Sequence, residues 1–393
     1  MKLASLSLAS VSLIAICFGT SSPARADDGA DGFVRPNRYV VTNLTSDIPG
    51  VAPNTDPVLQ NAWGVTCTPN ASPFWISDNA TVCSTLYDGQ GVIQALQVSL
   101  PLPGGSVPAT ACKHADPKNP PNPTPAAPTG LVWNQTSGAT GFLVPGTTLL
   151  ATFIWDTEDG TLSAWTGGLT PPNQAVLAVD NSPGAVYKGL VFGVNAKGVF
   201  LFATNFRAGT VDVFGPASSG STTGFYAPVT TDGGFTDPDM PAGYAPFGIQ
   251  NIDGSLFVTY AKQNATKHDD VAGAGHGFVD VFDTDGHLLR RFASRGPLNS
   301  PWGIARASYA FGRFSGDVLI GNFGNGQVNA FDTDGNFLGA LRDGNGKPIA
   351  IDGLWTLTLG GGRNSNTDTL YFTAGPNGET DGLFGTITPA SKQ

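Results

Sequence analysis

The chain has 393 residues, a formal charge of −10 and 13% charged residues, with 52 glycines and 30 prolines. An acidic balance argues against nucleic acid and against anionic membrane surfaces, since both require a basic patch on the protein. Turn formers at this density, without long charged runs, suit an all-β chain with many turns better than a disordered one.

The N-terminus reads as a secretory signal peptide over residues 1–26. Lys2 gives a positive start, an apolar run covers about 8–18, and Ala24, Arg25 and Ala26 form a small-x-small cleavage site. The run is too short for a membrane span, and no other segment is long and apolar enough for one. Removing Lys2 and Arg25 takes the formal charge from −10 to −12. The expected mature protein is therefore secreted or periplasmic, with a flexible start over 27–36 and one domain over 37–390.

Past residue 37 the chain is a succession of short apolar runs separated by Gly, Asn and Asp. The run 38–44 (RYVVTNL) is strand-like but belongs to no repeat. Six similar units follow, anchored by Gly64, Gly130, Gly189, Gly248, Gly303 and Gly353, at spacings of 50 to 66 residues. Each unit reads as a four-stranded meander, clearest at 300–341, and one such meander cannot bury both its faces. A period near this length with four strands per unit predicts a six-bladed β-propeller. The last unit supplies three strands before the chain ends, so 38–44 is expected to pair there and close the ring, removing exposed sheet edges. Two insertions, 101–128 and 218–245, fall between the outermost strand of one blade and the innermost strand of the next. They therefore lie on the face where each innermost strand begins.

Three cysteines follow the expected cleavage site: Cys67, Cys83 and Cys112. Cys83 and Cys112 are expected on that same face and Cys67 deeper in an innermost strand. The expected pair is thus Cys83–Cys112.

The order NAWGV, FWISDN, STLYDG, TEDGT, AVYKG, NFRAGTVDVF, PAGYAPFGIQNI, LFVTYAKQ, DVAGAGHGFVDVFD, PLNSPWGIA, GNFG, IDGLW and LYFTAGPN resembles a family of bacterial exported proteins, hypothetical in function, that look like six-bladed NHL-type propellers. The resemblance runs from about residue 39 to 387 and implies the fold and export. It supplies no catalytic residues, and the cysteine-bearing insertion after the first blade departs from the family pattern.

In a propeller the second strand of each blade returns to the face where the first began. Residues just past the second strands therefore gather at the mouth of the central channel, the default ligand site of this architecture. The candidates there are Asp78, Asn79, Asp156, Asn205, Arg207, Tyr260, Lys262 and Asn322. Trp63, Trp302 and Asp352 join them from the first strands, with Glu158, Lys188, Asn61, Phe247 and Asn299 on the same ring. Turn chemistry competes for each of them singly, because Asp and Asn cap strand ends in any such fold.

Asp283-Thr-Asp-Gly286 and Asp332-Thr-Asp-Gly335 look like the start of a calcium loop, but the remaining ligands are missing and both read as hairpin turns. His114, His268, His276 and His287 form no pair with zinc spacing. His276, in a Gly-rich loop, could reach the mouth. No GxSxG elbow or placed Cys–His pair suggests a nucleophile.

The functional expectation is an exported, monomeric binding or interaction module for a small polar molecule or an extracellular protein or glycan, using the mouth. The alternative is a metal-dependent hydrolase or lyase of lactonase-like type, with a hard cation such as calcium held by Asp78, Asp156, Asn205, Asn322 and Asp352.

Overall fold

The computed structural model describes residues 35–69, 72–115, 126–137, 141–215 and 226–390. The expected signal peptide, 27–34 of the expected tail, and stretches of both insertions (116–125 and 218–225) lie outside them. Six sheets, each built on four antiparallel strands, stand in chain order as the repeats require, and the chain is a six-bladed β-propeller; the last sheet adds the short Asn54–Thr55, parallel to Tyr39–Ser46. Helix is almost absent from the described residues, the one α-helical turn being Pro376–Glu379.

The innermost strands of blades 1 to 6, here strands A, are Ala62–Thr66, Pro128–Trp133, Tyr187–Asn195, Tyr244–Ile252, Pro301–Arg306 and Leu354–Leu359. Strands B, next outward, are Phe74–Asp78, Phe153–Thr157, Gly198–Asn205, Ser255–Lys262, Val318–Asn322 and Leu370–Ala374. The ring closes as expected. Tyr39–Ser46 pairs antiparallel with Leu383–Pro389, Tyr39 opposite Pro389 and Ser46 opposite Leu383. Both ends of the domain thus share blade 6.

Every strand A slips register against strand B at the same point, between Ala62 and Val65 in blade 1 and at the equivalent place in each other blade. The slip brings Trp63, Phe247, Trp302 and Trp355 together on the inner side, with Lys188 over Trp63; the equivalent residue of blade 2 is Thr129, whose hydroxyl donates to Asp156. The next residue is glycine in blades 1 to 5 because neighbouring strands A touch there. A Cβ on Gly64 would lie 2.4 Å from the Thr129 carbonyl oxygen, and one on Gly248 would lie 2.2 Å from that of Trp302. In blade 6 the register assigns Thr356 to this position, not the Gly353 expected from spacing. Gly353 instead occupies a preceding turn at φ +64. The Thr356 hydroxyl donates to the Trp63 carbonyl at 2.7 Å and joins the last blade to the first.

Between blades, apolar faces interlock. Trp75 of blade 1 stacks on Phe153 of blade 2, centroids 4.2 Å apart, with Trp155 and Trp165 alongside. Aromatic pairs of this kind add about 0.5–1.5 kcal/mol each beyond their burial.

The two DTDG stretches are hairpin turns. Asp283 Oδ1 accepts from the amides of Asp285 and His287, and Asp332 Oδ1 from those of Asp334 and Asn336. Their carboxylates serve the turn itself. Cys83 and Cys112 form the expected disulfide and Cys67 is free. Burial pushes the Cys67 thiol up to about 11. No helix among the described residues is long and apolar enough to cross a membrane.

Candidate functional site

Trp63, Phe206, Phe247, Trp302 and Trp355 pack into one buried cluster with Phe323 against it. They come from blades 1, 3, 4, 5 and 6, and residues of non-adjacent blades can meet only on the propeller axis. Trp355 is sandwiched between Trp63, at 3.5 Å between centroids, and Phe323, at 4.0 Å. The axis is therefore plugged by aromatic rings.

Lys188 breaks this apolar ring. Its side chain is 3% exposed and its ammonium lies 5.2 Å from the Trp63 centroid and 5.9 Å from that of Phe206, over both rings. It pairs with Glu158 and stands 4.0 Å from an oxygen of Asp269. Burial opposes its charge, but Glu158 beside it outweighs that and holds the Lys188 pKa above its usual value.

A polar network spreads from this pair. Asn79 Nδ2 donates to Glu158 Oε2 at 3.1 Å. Asn61 Nδ2 donates to Asn79 Oδ1 at 3.2 Å and to Glu379 Oε2 at 2.8 Å. Trp355 Nε1 in turn fixes Asn61 Oδ1 at 3.0 Å, and Trp302 Nε1 fixes the Lys188 carbonyl at 2.8 Å. His268 Nδ1 lies 2.7 Å from Asp269 Oδ1.

The cluster draws Asn61 and Asn79 from blade 1, Glu158 from blade 2, Lys188 from blade 3, His268 and Asp269 from blade 4, and Glu379 from blade 6. Burial, reinforced by Glu158, raises the Glu379 carboxyl to about 7. The hydrogen bond from His268 holds Asp269 below the ordinary carboxylate range, whereas burial raises Asp270. Carboxyls whose pKa values are driven apart within one cluster are a feature of functional sites, one that structural ion-pair networks share.

The sequence candidates divide. Trp63, Asn79 and Trp302 belong to the cluster. Asp352 is exposed, and its Oδ2 accepts from the Asn377 amide at 2.8 Å, which orders the turn carrying Glu379. Asp78 is fully buried and turned into blade 1, its Oδ2 taking the Thr85 amide at 2.8 Å. Asp156 is likewise buried, with Oδ1 accepting from Thr129 Oγ1 at 2.8 Å and from the Gly130 amide at 2.5 Å, and burial raises it to about 7.

Asn205 and Asn322 cap turns, accepting from the Ala208 and Asn299 amides respectively. Arg207 donates to the Pro183 carbonyl at 2.7 Å. Tyr260 lies in the core between blades 3 and 4, and Lys262 is exposed. His276 stays in its own loop, Nδ1 against the Val271 carbonyl at 2.8 Å.

The five residues expected to hold a hard cation thus serve local turns and strands. A different group has converging ligand atoms: Glu158, His268 and Asp269. Asp269 and Glu379 were not among the sequence candidates, and His268 was set aside there for want of zinc spacing. All three lie several residues past their strands B, in loops whose path no periodicity shows.

No family model matches the chain. It is 30% identical over 355 residues to the uncharacterized protein R648 of Acanthamoeba polyphaga mimivirus, an alignment covering 89% of this chain and 79% of the viral protein. It is also 30% identical over 365 residues to uncharacterized protein L690 of the same virus, covering 90% and 87%. The chain belongs to the family of these viral proteins. The relatives found are viral, so the bacterial and exported side of the resemblance drawn above is not part of what they show.

Among solved structures it is similar to a luciferin-regenerating enzyme (10% identity, TM-score 0.47, covering 90% of this chain and 96% of that one). It is also similar to virginiamycin B lyase from Staphylococcus aureus (12%, 0.42, 90% and 100%).

Proposed function

We propose that the mouth of the propeller binds a small polar molecule, with Lys188 at the base of the site. The observation that carries this is the buried Lys188–Glu158 pair. At five of the six equivalent positions the chain places threonine or an aromatic ring, and at the sixth a lysine whose ammonium must be desolvated. Burying an ion pair stabilises a fold little or not at all compared with apolar packing, so fold stability is a poor reason for this lysine.

An ammonium has three donors, and among the described residues Lys188 hydrogen-bonds only Glu158. Trp63 Nε1 beside it is buried and has no partner. A ligand with acceptor atoms satisfies both, and the carboxylates of Glu158, Asp270 and Glu379 take its donors. In this reading the protein is exported after loss of residues 1–26, in keeping with the disulfide, and acts as a monomer. An extracellular protein or glycan carrying such groups is the larger form of the same partner.

A second reading, a hydrolase or lyase, is favoured by Glu379. A carboxyl near 7 has the acidity of a general acid at neutral pH.

The test is a thermal-shift screen of the mature chain, of Lys188→Met and of Asn61→Ala against polar metabolites. The expected outcome is stabilisation of the wild type by at least one compound, lost in Lys188→Met. No stabilisation by any compound removes the support for this reading. Turnover of the bound compound, abolished by Glu379→Gln, selects the second.

A further inference from the structure

Glu158, His268 and Asp269 each bring one ligand atom to within 4.8 Å of the other two. Glu158 follows strand B of blade 2, and His268 and Asp269 follow strand B of blade 4, so the three meet across the mouth rather than along one surface loop. Their side chains are 14%, 26% and 62% exposed, which leaves the group open to solvent from above. One imidazole with two carboxylates is a mixed nitrogen and oxygen set, suited to manganese or zinc better than to calcium or magnesium.

Two observations beyond this grouping point to a cation. First, the chain already places one of its own there. The Lys188 ammonium is paired with Glu158 and lies 4.0 Å from Asp269, under the group and shielded from solvent. Second, Asp270, next in the chain to Asp269, adds a half-buried carboxyl that faces the Lys188 charge and is hydrogen-bonded by Ser300. With Glu158, Asp269 and Asp270 near one lysine, the site holds more carboxyls than cations.

We propose that a divalent cation, manganese or zinc, binds between Glu158, His268 and Asp269, and that Lys188 is its internal competitor. With no ion bound, the ammonium neutralises Glu158. When an ion arrives, Glu158 turns from the lysine to the metal. Tetrahedral metal–ligand distances of about 2.0–2.2 Å place ligand atoms about 3.3–3.6 Å apart, so a closure of about an ångström completes the set. Like charges a few ångströms apart repel strongly in a partly buried site, so Lys188 lowers the affinity of the site it borders. The proposal shares its location with the ligand reading above but is tested without any organic ligand.

The experiment is isothermal titration of the chelator-treated mature chain with manganese, zinc, calcium and magnesium chlorides, separately. The wild type is expected to bind one manganese or zinc ion per chain, and Lys188→Met to bind it at least about tenfold more tightly. Glu158→Gln and His268→Ala are expected to lose at least about tenfold each. A melting curve shows that each variant is folded. Lys188→Gln replaces Lys188→Met if the latter is not, and is expected to shift affinity in the same direction.

The proposal is overturned if neither wild type nor the lysine variant binds one ion, if removing the lysine leaves affinity unchanged or lowers it, or if binding survives both ligand substitutions. Metal binding without stabilisation by any polar metabolite supports this inference and counts against the reading above; the reverse result does the opposite.

Discussion

Glu379 is the residue whose titration is most open to experiment. Its folded pKa, about 7, is above the 4.5 usual for glutamate. The folded state therefore holds this proton over a pH range in which the unfolded chain has lost it. Its contribution is fully present below about pH 4.5 and is lost as the pH rises through 7. Glu379→Gln keeps an acceptor for Asn61 and removes the ionisation. It is expected to stabilise the protein by about 3 kcal/mol at pH 8 and by less than about 1 kcal/mol at pH 5, measured by urea unfolding at the two pH values. An equal gain at both would show that the residue is not held in its acid form.

Lys188 was legible in the sequence only as a member of a ring of inward positions. Its pairing with Glu158 and Asp269 was not, because it depends on loop paths set by the whole ring.

At the level of the blade, the close contact between neighbouring strands A sets what each position tolerates. Gly248→Ala drives a Cβ to 2.2 Å from the Trp302 carbonyl, where backbone faces backbone and no side chain can yield. The expected cost is about 3 kcal/mol. Gly344→Ala, with nothing within 4 Å of the added carbon, is expected to change stability by less than about 0.5 kcal/mol. Chemical denaturation of the pair tests the argument, and equal losses would count against it.

The glycine spacing revealed five of these contacts. The sixth was misassigned to Gly353, because a glycine search cannot find a position where a threonine hydroxyl replaces the contact. The Asp-Thr-Asp-Gly turns were readable for the converse reason: Asp283 and Asp332 act on amides two and four residues away, entirely within local sequence.

For the molecule as a whole, closure of the ring was legible because an unmatched strand at one end met a missing strand at the other. Removing residues 27–46 exposes the edge Leu383–Pro389, to which Tyr39–Ser46 is paired. The truncated chain is expected to aggregate or to melt well below the intact one, as followed by light scattering during a thermal ramp. An unchanged melting temperature and a clean monomer would refute it.

The disulfide binds the first insertion to blade 1 across 29 residues. Cys83→Ser with Cys112→Ser is expected to cost about 3–4 kcal/mol. Half-buried Cys67, with its raised pKa, should react only slowly with a thiol reagent at pH 7 in the folded protein.

The carbonyl contacts at Gly64 and Gly248 also bear on rates. Strands A already touch at these points, so the inner circumference cannot shrink, and aromatic rings from five blades fill the axis beside Lys188. Whatever binds beside Lys188 must come and go on one side, past the segments that carry Glu158, His268 and Glu379. Residence time at the site is then set by the contacts those segments make with what is bound, while the ring behind them stands still.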